Sequence, residues 1–93
     1  MKLRVHFEIA DRNIDEIVDG SNADELLSEA KSRVASELGW KGMFLHAMST
    51  IQFAQLAVRM YNEHHETQYP IPETAEEFVE FGKVTGKVEV LDG

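Results

Sequence analysis

The chain has no cysteine, only two prolines and a single tryptophan. Without cysteine there are no disulfides, no thiol nucleophile and no thiolate metal site, and the composition suits a reducing cytoplasm. Positive charge is also scarce. Nine Lys and Arg stand against seventeen Asp and Glu, for a formal net charge of −8. Such a chain is repelled by phosphate backbones and anionic lipid, so neither nucleic acid nor a membrane surface is expected as a partner. A protein partner is compatible with that charge. The N-terminus shows no basic, apolar, small-residue targeting pattern; Met1 leads straight into alternating residues. Internal repeats, low-complexity tracts and linkers are lacking too, so residues 1–93 are expected to form one domain.

What the chain does have is 43% hydrophobic residues, an ordinary globular content. The longest apolar run is Met43 to His65. At 100° per residue, Gln52, Gln55, Arg59 and Asn62 fall on one narrow stripe, and apolar residues occupy most of the remaining circumference. That pattern predicts a core helix with partners on several sides. It is not a membrane span, because His46, Gln52, Gln55 and Arg59 would sit at bilayer depth, where Arg alone costs roughly 2.5–3.5 kcal/mol. Ser49-Thr50-Ile51-Gln52 fits a capping box that would start a helix at Thr50. The apolar spacing carries through Ser49, however, and one continuous helix is the expectation.

Ahead of it, Lys2 to Ile9 alternates strictly, with Leu3, Val5, Phe7 and Ile9 on one face of a strand. Asp11-Arg12-Asn13 is turn chemistry. Ile14–Val18 reads as a short strand or as a helical turn. Ser21 or Asn22 then caps a helix whose stripe is Leu26, Leu27, Ala30, Val34 and Leu38. Gly39 suits a positive-φ position closing that helix, and Trp40 stands where a hydrophobic residue commonly folds back on the last turn. Beyond the central helix, 66–72 forms a loop stiffened by Pro70 and Pro72, from which Tyr69 and Ile71 can lean on the body. Thr74-Ala75-Glu76-Glu77 is a capping box. It opens a third helix that stops near Gly82 or Gly86, and Lys87–Leu91 closes as a strand with Val88 and Val90 inward.

The expected fold is therefore α+β. A small sheet of two or three strands, with the N- and C-terminal strands paired, is covered on one face by three helices, the middle one central. Two strands make a marginal sheet. Either 14–18 contributes a strand or another chain completes it.

Chemistry-bearing patterns are weak. His64 and His65 resemble metal ligands, but neighbours on a helix point about 100° apart, and His46 lies too far along the same helix to help. Their ordinary role is to favour a helix C-terminus electrostatically. His46 reads as a core histidine on an apolar face. Gly82-Lys83-Val84-Thr85-Gly86-Lys87-Val88 imitates a phosphate loop but has the wrong glycine spacing, Val88 in the magnesium-binding position, and a strand following it. The many acids are spread over solvated faces. No catalytic, cofactor or metal set is expected. The reading is a non-enzymatic protein-interaction module or small assembly subunit that self-associates, with Gln52, Gln55, Arg59 and Asn62 as partner-binding residues. The alternative is a small-molecule-binding regulatory domain.

Overall fold

The computed structural model describes residues 1–9 and 12–91. Strand β1 (Lys2–Ile9) pairs antiparallel with β2 (Arg12–Asp19) and, on its other side, with the short β3 (Val88–Val90), giving the order β2-β1-β3. The alternation expected of β1 holds where side chains are described: Leu3 and Val5 are buried, Lys2 and Arg4 exposed. Ile14–Val18 is a strand, because Ile14 and Val18 both find the covered face of the sheet. Arg12 and Asn13 belong to that strand, while Asp11 of the expected turn lies outside the described residues. The N- and C-terminal strands pair as anticipated. Val90 shares a face with Leu3 but stays exposed, whereas Val88, opposite Val5, is buried.

Helices cover one face of this sheet. Helix α1 (Ala23–Leu38) starts at Asn22, whose side chain accepts the Glu25 N–H at 2.9 Å. Its expected stripe is wholly buried against the sheet and the other helices. Gly39 ends it with φ +62°, a conformation that costs L side chains strain.

The continuous helix expected over Met43–His65 is instead broken. A 3-10 turn (Gly39–Gly42) runs into the single turn α2 (Met43–His46), and α3 (Thr50–His65) begins after an extended Ser49. The capping box wins over the apolar spacing because it satisfies two otherwise orphaned donors. Ser49 Oγ accepts the Gln52 N–H at 3.2 Å, and Gln52 Oε1 accepts the Ser49 N–H at 3.0 Å. Lys31 of α1 donates to the Met48 carbonyl at the same break. The run is also less enclosed than its composition suggested. Leu45, Phe53, Ala54 and Val58 are fully buried, Ile51, Leu56 and Met60 are partly so, and Met43 and Phe44 are exposed. Helix α3 packs on α1 and α4, whereas the closest approaches to the sheet are made by α1 on β1 and β2 and by α4 on β3.

Helix α4 (Ala75–Thr85) begins at Thr74, whose hydroxyl accepts the Glu77 N–H at 3.2 Å. It passes through Gly82 and ends at Gly86, with φ +78°. Between α3 and α4, the rings of Tyr61, Tyr69 and Phe81 meet edge to face with centroids 5.2–5.8 Å apart. This cluster ties the loop to both helices. Among the described residues no polar side chain is buried.

Candidate protein-interaction surfaces

The polar stripe of α3 is turned largely toward the chain itself. Gln52 closes the capping box. Gln55 Nε2 donates to the Pro72 carbonyl at 3.0 Å. Asn62 Nδ2 donates to the Tyr69 carbonyl at 3.0 Å, while its Oδ1 accepts from the Tyr69 N–H at 3.0 Å and the Thr67 hydroxyl at 2.8 Å. Loop 66–72 thus lies along this stripe, its carbonyls and amides partnered by side-chain amides. Arg59 is exposed. The signal for this arrangement was present as an amide-rich stripe followed by a proline-stiffened loop whose backbone needs partners.

The histidines do not converge. His46 is exposed at the end of α2, contrary to the buried position expected of it, because its side of that single turn faces away from Leu45. His64 and His65 stand nearly perpendicular with ring centroids 4.9 Å apart, and His65 stacks on Tyr61 at 4.2 Å. Among the described residues no three His, Asp or Glu side chains gather in a way that could hold a metal ion. The stretch imitating a phosphate loop is the end of α4, its Gly86 cap and the start of β3. A shallow cleft of about 300 Å³ opens beside it, lined in part by His6, Asn13, Asp15, Thr85 and Lys87.

Residues 39–47 present a different kind of surface. Trp40 is 78% exposed, Met43 69% and Phe44 50%. Trp40 therefore does not fold back into the core as expected. The reason lies on the opposite side of the turn. Gly42 sits so close to α1 that an added Cβ would strike the Ala35 carbonyl and stand 2.9 Å from Ala35 Cα. Leu45, one turn on, is completely buried. The 3-10 turn and α2 together form a short helical stretch that buries one side, so with Gly42 and Leu45 inward, Trp40, Met43, Phe44 and Ala47 are left outward. The three large side chains expose roughly 400 Å² of apolar surface, within the range of the largest patches on monomeric proteins, which are often functional. No Asp or Glu occurs between Glu37 and Glu63, so the turn is drawn from an acid-free part of an acidic chain.

The sheet supplies a third surface, its outer edge. Met1 and Gly20 exchange both main-chain hydrogen bonds at 3.0 Å. In an antiparallel ladder such pairs alternate with unbonded ones. The register then makes Leu3–Val18, Val5–Glu16 and Phe7–Ile14 the bonded pairs. On the other side of β1, Leu91 donates to the Lys2 carbonyl and His6 to the Lys87 carbonyl, as this alternation requires. The N–H and C=O groups of Asn13, Asp15, Ile17 and Asp19 therefore point away from β1, along an edge that no other strand covers among the described residues. Their side chains lie on the uncovered face, and all four are exposed. On that face Arg4 grips Asp15 through two bonds of 3.0 and 2.7 Å, with His6 Nδ1 3.8 Å away. The Arg4 hydrogen bond holds the Asp15 carboxyl below its ordinary value.

No protein-family model matches this chain, and no curated protein or solved structure matches it either. The functional reading rests on these surfaces.

Proposed function

We propose that this chain is a non-enzymatic protein-interaction module that self-associates, and that its contact face is Trp40, Met43 and Phe44. The observation that carries the reading is the exposure of these three large apolar side chains within five residues, where the 3-10 turn Gly39–Gly42 runs into α2. Trp, Met and Phe are enriched in interface cores. A patch of roughly 400 Å² is too small for a whole interface of about 800 Å² per partner, but it suffices for the apolar centre of one. A second copy fits this face because acids are missing from the stretch that forms it. The stretch itself brings no carboxylate to such a contact, although each chain carries a net charge of −8. Arg59, exposed on α3, is the member of the polar stripe that offers a charged head to a partner. We place the protein in the cytoplasm, with neither nucleic acid nor membrane as its partner, in keeping with its acidity and its lack of cysteine.

The single tryptophan makes the test direct. Sedimentation should show a dimer at micromolar concentration, and Trp40 emission should move to shorter wavelength as the dimer forms. Met43→Glu should abolish both effects. A mass of 10.6 kDa at every concentration, with emission unchanged, would remove self-association and leave a heterologous partner.

The second reading, a small-molecule regulatory domain, draws support from the cleft beside His6 and Lys87. It predicts a ligand-dependent rise in melting temperature. A metabolite screen without such a rise would retire it for the compounds tested.

A further inference from the structure

The β2 edge is guarded by charge, mostly acidic, and by nothing else in its own sequence. Proteins blunt an edge with charged side chains, lysine above all, with proline or with a bulge. Strand β2 has no lysine or proline, its charges are Arg12, Asp15, Glu16 and Asp19, and its register with β1 runs unbroken over eight pairs, from Lys2–Asp19 to Ile9–Arg12. Four consecutive sets of main-chain donors and acceptors are therefore presented in line.

A second copy is a poor occupant for that edge. The two longest antiparallel self-pairings that preserve the two faces, centred on Asp15 and on Glu16, set Asp15 against Asp15 or Glu16 against Glu16. Like charges directly opposite are destabilising. The same acids would welcome a basic strand. Asp15 and Asp19 are 44% and 71% exposed and flank Ile17 on the uncovered face. Arg4 fixes the Asp15 carboxylate from the β1 side, and a carboxylate accepts about four hydrogen bonds, so capacity remains for a cation arriving from the edge.

We propose that the free edge of β2 docks an extended protein segment of the pattern basic–x–aliphatic–x–basic, which adds antiparallel as a fourth strand. Its main chain bonds to Asn13, Asp15, Ile17 and Asp19. Its two cations lie against Asp15 and Asp19, and its aliphatic residue covers Ile17. This site is separate from the Trp40 face, so the two proposals stand or fall independently.

The probe is a short acetylated and amidated peptide with Lys-Thr-Ile-Thr-Lys at its centre, titrated into the intact isotope-labelled protein. The expected result is saturable binding in which the exchange of the Asn13, Asp15, Ile17 and Asp19 amides slows. Those of Ile14, Glu16 and Val18, already bonded to β1, should change little. Raising salt should weaken binding, and Asp15→Asn with Asp19→Asn should weaken it about fivefold, as expected for two exposed ion pairs. Ile17→Pro removes a donor that only the incoming strand uses, which an edge strand tolerates, and should abolish binding. A peptide N-methylated at its edge-facing amides should also fail, and it leaves the protein unaltered. Absence of saturable binding, undiminished binding of the N-methylated peptide, or slowed exchange confined to residues near Trp40 would each overturn the proposal.

Discussion

Asn62 holds both main-chain polar groups of Tyr69, donating to its carbonyl and accepting its N–H, each at 3.0 Å. One side-chain amide thus does what a neighbouring strand would do, and it anchors the loop whose Tyr69 ring packs on Tyr61 and Phe81. Replacing Asn62 with Ala removes three hydrogen bonds at once, counting that from the Thr67 hydroxyl. At about 1 kcal/mol net each, Asn62→Ala should lower stability by about 2–3 kcal/mol in urea titration. Tyr69 should gain mobility, visible as loss of its aromatic near-ultraviolet circular dichroism.

Among the described residues, Glu66 is the non-glycine residue at positive φ, +54°, and it closes α3 by donating its N–H to the Asn62 carbonyl. A glycine adopts that conformation without the Cβ penalty, at some cost from the freer unfolded chain. Glu66→Gly is expected to raise stability by about 0.5–1 kcal/mol, read as a higher denaturation midpoint at an unchanged slope.

Gly82 is where α4 meets β3. A Cβ there would overlap a Val88 methyl and come within 2.6 Å of Val88 Cβ. Because Val88 is itself buried beside β1, the helix and strand must separate to admit it. Gly82→Ala should cost about 2–3 kcal/mol by overpacking. Gly82→Ala combined with Val88→Ala should recover part of that loss, a non-additivity that thermal melts of the three variants would measure.

The acid limb of stability should carry the signature of Asp15 and Glu25. The Arg4 hydrogen bond lowers the first from its usual 3.8, and the Ser21 main-chain N–H lowers the second from its usual 4.5. A carboxyl depressed in the folded state contributes stability that is fully present above its unfolded value and is lost as pH falls through the lowered folded value. Stability should therefore be level with respect to these groups above about pH 5 and decline below about pH 4. Asp15→Asn should flatten that decline while leaving the shape of the neutral-pH plateau unchanged. An identical acid limb in wild type and variant would contradict the assignment.

Local chemistry in the sequence settled much of this architecture. Strict alternation placed Leu3 and Val5 on one face of a strand, and the spacing of Leu26, Leu27, Ala30, Val34 and Leu38 fixed the inner side of α1. Asn22, Thr74 and Gly39 act within a few residues of themselves, so their capping roles were readable without knowing the fold. The Ser49–Gln52 capping box was legible as well. The apolar spacing around it points instead to one continuous helix, but such spacing carries no information on whether consecutive turns share an axis.

Tertiary contacts decided the remainder. Whether 14–18 became a strand depended on β1 offering a bonding edge and a covered face for Ile14 and Val18. Trp40 emerged into solvent because Gly42 and Leu45 took the inner side of two short consecutive turns, a choice made by Ala35 on another helix. The amide stripe of α3 was visible in the sequence as polar. That the 66–72 loop would return to occupy it depended on distance in space, which a linear pattern of residue types does not encode.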